Sequence, residues 1–139
     1  MTSEQDRRVA GARRGDEEEI RRDLAEMFRF FANLSAAARR EGLAPICDSI
    51  EEEKTSQMRN GELIKKSLRL VVNGADDKVL AKAAEEARAV SDTFIKVILA
   101  ATLAVQRGDK LAEIAAAMLK ETPKKYKGAI EDALLGHGK

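Results

Sequence analysis

The 139-residue chain carries 25 Lys and Arg against 24 Asp and Glu, a formal net charge of +1. It therefore lacks the global field that would hold a phosphate backbone or an anionic membrane surface, and nucleic acid is not an expected partner. Apolar residues make up 44% and charged ones 35%, with one Tyr, no Trp and two Pro, the profile of a single soluble all-α domain with one core.

Residues 1–15 are polar and basic, without periodicity, and read as a flexible tail ahead of one helical domain over 16–135. Asp16-Glu17-Glu18-Glu19 then places negative charge where a helix N-terminus favours it. Ile20, Leu24, Met27, Phe31 and Leu34 follow at helical spacing, which predicts a first helix ending near Gly42. A second helix is expected from Leu43, with Pro45 in its first turn and Leu43, Ile46, Cys47 and Ile50 buried. The polar run from Glu51 to Gly61 reads as a way out into a turn. A third helix from Glu62 carries Leu63, Ile64, Leu68 and Val71. Residues 76–107 contain neither Gly nor Pro and keep an apolar stripe from Leu80 to Val105; they form either one long helix or two, broken near Ser91-Asp92-Thr93. A further helix with Leu111, Ile114, Ala115 and Met118 stops at Thr122-Pro123. The last segment carries Tyr126, Ile130 and Leu134 before residues 136–139 dissolve the pattern into a second tail.

The expected fold is thus all-α, a compact stack of helical hairpins with five to six helices. Gly42, Gly74 and Gly108 each follow an apolar run, where a helix C-terminus calls for a left-handed residue. Phe28 to Arg40 aligns without gaps on Ile95 to Arg107, a match that either an old duplication or shared hairpin chemistry would generate. The longest near-apolar stretch, 97–105, falls far short of the roughly 20 residues that cross a bilayer. A lone cysteine and the lack of an apolar leader point to the reducing cytoplasm.

No residue set argues for catalysis. His137 lies in a Gly-flanked tail, whereas general acid–base work needs held geometry. Cys47 beside Ile46 reads as a small buried hydrophobe. The carboxylates at 16–19 and 51–53 read as a helix N-terminus and a solvated face. No metal-ligand spacing and no phosphate-cradling loop occurs, so no catalytic, metal or cofactor residue is assigned.

Three segments, in order, resemble the cytoplasmic parts of the MotA family of flagellar stator subunits. They are Ala37-Ala38-Arg39-Arg40-Glu41-Gly42-Leu43, the run 63–76 with its Leu70-Val71-Val72-Asn73-Gly74 turn, and 98–109 with Val105-Gln106-Arg107-Gly108-Asp109. The likeness covers about residues 24–122. Family members have four membrane-spanning helices, two of them between the second and third segments, and here residues 88–97 run straight from one segment to the other. Ion conduction is therefore not implied. The chain resembles either a natural soluble relative or a stator cytoplasmic region relieved of its membrane helices.

In that family, charged cytoplasmic residues face the rotor protein FliG. Arg39 matches the basic member of the pair, the acidic position falls on Cys47, and Asp48 and Glu51 are the nearest acids. The resemblance implies a cytoplasmic stator-like domain that binds a motor component, FliG or another, through Arg39, Arg40, Glu41, Asp48 and Glu51. A homo-oligomer is compatible with this reading. The alternative is a helical adaptor or regulatory module unrelated to motility, in which the junction residues serve only as caps.

Overall fold

The computed structural model describes residues 13–74, 76, 78–80, 82 and 93–136. Seven α-helices and one 3₁₀ turn are formed among them: α1 (Arg13–Glu41), α2 (Ala44–Glu51), α3 (Glu53–Gln57), α4 (Gly61–Val72), α5 (Thr93–Arg107), α6 (Leu111–Lys120), the turn Lys124–Tyr126, and α7 (Lys127–Gly136). Residues 78–80 and 82 are also helical. The described residues contain no strand, as the 3.6-residue periodicity predicts. Whether 76–107 is one helix or two falls on residues 83–92, outside the described residues, as do tail residues 1–12 and His137.

Helix α1 starts at Arg13, ahead of the acidic run, and its stripe packs as its spacing dictates. Leu24, Met27, Phe28, Phe31 and Leu34 are buried, with Ile20 packed partly against them. Helices α1 and α5 form the spine and run in the same sense: Asp23 and Phe94 meet Arg59 near their starts, while Ser35 bonds Asp109 near their ends. α2 and α4 pack on one another and against this spine on one flank; α6 and α7 do so on the other. Ile64, Leu68, Val97, Ile98, Ala101, Ile114, Met118 and Ile130 join the α1 residues in one core.

The helix count exceeds the expected five to six because the polar run after Glu51 contains α3, a five-residue helix with Thr55 fully buried. A second correction concerns α2. Ile46 is buried and Ile50 partly so, but Cys47 is exposed and Leu43 is 50% exposed. Cys47 is turned about 100° from Ile46 and so away from the core, whereas Leu43, only about 20° from Ile50 around the axis, precedes the first helical residue and is left half uncovered at the helix start.

All three junction glycines are left-handed, with φ of +81° at Gly42, +84° at Gly74 and +74° at Gly108. After α5, Gly108 N–H bonds the Val105 carbonyl and Asp109 N–H reaches back to Ala104 at 3.0 Å, closing the helix end. Asp76 opens the next segment by accepting from Val79 N–H at 3.1 Å. At Gly74 a Cβ would meet no atom within 4 Å, so Gly74→Val isolates the backbone cost. It is expected to destabilise the fold by about 1 kcal/mol or more in chemical denaturation, because a β-branched residue disfavours positive φ. An unchanged midpoint would show that the turn re-forms with another geometry.

Candidate functional site

The turns at Gly42 and Gly108, with Val71 near the end of α4, gather at one end of the spine. Ala38, Gly42, Leu43, Val71, Val105 and Gly108 surround a small cavity of about 170 Å³. Ser35, fully buried in α1, donates to the Asp109 carbonyl at 2.8 Å, and the Arg39 guanidinium donates to the same carbonyl and to Ser35 Oγ. The α5–α6 turn is thereby tied to α1 across 70 residues of sequence. Arg39 stays exposed, but its guanidinium is directed by its own chain's backbone.

The other charged positions are distributed over different settings. Arg40 and Glu41 lie at the exposed end of α1, 3.7 Å apart. Such a pair contributes little stability, since both side chains stay solvated. Asp48 and Glu51 are exposed on α2. Of these five, Asp48 lines a depression beside α1.

That depression is a groove of about 470 Å³ between α1, α2 and α3. From α1 it takes Glu26, Arg29, Phe30, Asn33, Leu34 and Ala37, at steps of three and four that form one strip beside the core strip. Pro45, Asp48 and Ser49 of α2, with Glu52 just after it, form the facing wall, and Lys54 and Met58 lie beyond. The floor is apolar: Phe30, Leu34, Ala37, Pro45 and Met58. Charges of both signs stand around it, with Lys54 bonded to Glu52 at 3.2 Å. Such a surface buries apolar side chains of a ligand and fixes their register with polar groups. No set of three or more metal-ligating side chains occurs among the described residues.

Arg59 is a structural feature that the sequence reading did not single out. Its Nε lies 2.7 Å from Asp23 Oδ2 and its guanidinium stacks 4.4 Å from the Phe94 ring centre, joining α1, the α3–α4 turn and α5. At the opposite flank, the Tyr126 hydroxyl, and after it Glu17, raise the pKa of the exposed Lys125 ammonium above its ordinary value. Lys127 Nζ donates at 2.9 Å to the Leu119 carbonyl at the end of α6, which also accepts from Thr122 N–H at 3.1 Å. These contacts fasten the 3₁₀ turn and α7 to the bundle.

No family model, curated protein or solved structure matches this chain. Among the described residues no helix is long and apolar enough to cross a membrane.

Proposed function

We propose that this chain is a helical protein-interaction domain, stator-like in its three junctions, that holds a cytoplasmic partner of the flagellar or a related motor system in the α1–α2–α3 groove. The groove carries the proposal: an apolar floor open to solvent beside a mixed-charge rim is suited to a protein side chain or helix and to no chemistry of its own. Support for the stator-like part comes from the clustering of the first and third resembling turns, with Val71 of the second, around one cavity.

The residues divide the work. Phe30, Ala37 and Met58 receive apolar groups, Asp48 fixes register, and Arg40 with Glu41 and Glu51 steers the approach. Arg39 positions the α1 end through Asp109.

Purified chain should bind purified FliG in a pull-down and in calorimetry. Ala37→Glu, which sets a charged side chain on the groove floor at a half-buried site, should abolish binding while leaving the helical circular dichroism intact. Arg40→Glu should slow association, with the loss shrinking as salt screens exposed charges. Failure of the wild-type chain to bind FliG would leave the adaptor reading, and full binding by Ala37→Glu would remove the groove.

A further inference from the structure

Helix α2 has apolar residues on its outer side that the fold leaves uncovered. Leu43, Ala44 and Cys47 face solvent beside Asp48 and Glu51. At 3.6 residues per turn, Leu43, Ala44, Cys47 and Glu51 fall within about 100° of one another. Together they make a short ridge, apolar along its length and acidic towards its C-terminal end.

The α5–α6 hairpin carries a groove of complementary character. Along α5 it is lined by Lys96, Ala100, Leu103 and Arg107, one residue every turn, and along α6 by Ala117 and Lys120. Its volume is about 220 Å³. Three cations stand over a floor of small and aliphatic side chains, against one carboxylate, Glu121. Small residues on the floor allow a helix to approach closely. The lengths also agree: the eight rises from Leu43 to Glu51 span about 12 Å of helix, and the eleven from Lys96 to Arg107 about 16 Å.

Ridge and groove cannot meet within one molecule, because α2 packs against α1, α3 and α4 whereas α6 packs against α1, α5 and α7. We infer that the acidic apolar ridge of α2 in one copy docks into the basic α5–α6 groove of a second copy. The contact is heterologous, so every added copy leaves one free ridge and one free groove, and association continues into a ring or an open chain. It does not rest on the motor reading, since the α1–α2–α3 groove uses the neighbouring side of α2; Asp48 borders both surfaces, and Glu51, which steers the partner's approach in that reading, sits on the ridge.

Sedimentation velocity on the full chain tests this, with two double variants: K96E/K120E removes the groove's charge and L43S/E51K removes the ridge. For the wild type, the average mass should climb past that of a dimer as concentration rises and fall back as salt is added. Each variant alone should retain its helical spectrum and stay monomeric. Mixed together, the two should form a one-to-one dimer and stop there, because the mixture holds one intact ridge type and one intact groove type. Single exposed substitutions, K120E and E51K, replace any double variant that fails to fold. A wild-type chain that is monomeric throughout, a fixed dimer that survives both variants, or a mixture that stays monomeric would each overturn the inference.

Discussion

Gly61→Ala is expected to destabilise the protein by about 3 kcal/mol or more, at the upper end of what overpacking costs. A Cβ built at this position would run into the Thr55 carbonyl oxygen and lie 2.6 Å from that of Ser56. Both are backbone atoms at the end of α3, so relief requires moving the helix rather than turning a side chain. The corner has little slack. Asn60 is left-handed at φ 56°, Gly61 N–H bonds the Met58 carbonyl at 2.9 Å, and Thr55 Oγ1 is buried without a hydrogen-bond partner. Gly128→Ala in α7 is the control, because its Cβ would meet nothing within 4 Å. Better helix propensity should make that variant more stable by about 0.5–1 kcal/mol. Urea denaturation of the two variants should therefore move the midpoint in opposite directions. A loss below 1 kcal/mol at Gly61 would mean that α3 can shift away from α4 at little cost.

How far the sequence foretells this fold depends on whether the deciding interaction is local. The left-handed glycines were legible because a helix C-terminus and its turn are specified within a few residues, as at Val105-Gln106-Arg107-Gly108. The core strip of α1 was legible for the same reason, since Leu24, Met27, Phe31 and Leu34 repeat on one face over many turns. In α2 the repeat is too short to choose. Eight residues carry two apolar pairs at equal spacing, and only packing against α1 and α4 selects Ile46 for the core and leaves Cys47 outside. Helix α3 shows no stripe at all: Glu53-Lys54-Thr55-Ser56-Gln57 coils because Thr55 is covered by the tertiary structure.

The candidate site was less legible still. Arg39 reads locally as a cation favoured at a helix C-terminus, and nothing near it in sequence announces the Asp109 carbonyl it meets. The Asp23–Arg59 pair likewise joins residues 36 apart. The groove arises where a second strip of α1 faces α2, so its floor combines residues that a one-dimensional pattern reads as core, such as Leu34, with ones it reads as linker, such as Met58. Grooves are properties of pairs of helices, whereas periodicity describes one helix at a time.

The adjacent phenylalanines of α1 separate fold from function most sharply. Phe31 is 0% exposed and sits in the core, so Phe31→Ala should cost about 3–5 kcal/mol through lost burial and the cavity left behind. That is a large part of the 5–15 kcal/mol typical of a whole domain, and the melting transition should fall steeply. Phe30 is half-buried on the groove floor, its ring 5.1 Å from that of Phe31 and nearly perpendicular to it. Phe30→Ala should cost only about 1–2 kcal/mol, from the edge-to-face pair and partial burial. Its effect on binding should be the larger one, a loss of about tenfold or more in partner affinity, since aromatic anchors in partly enclosed pockets dominate interface energetics. Calorimetric titration below the melting range of both variants distinguishes the roles. Phe31→Ala that is still folded should retain most of its affinity, and Phe30→Ala should not. Equal affinities for the wild type and Phe30→Ala would show that the partner does not enter this groove, whatever the stability data say.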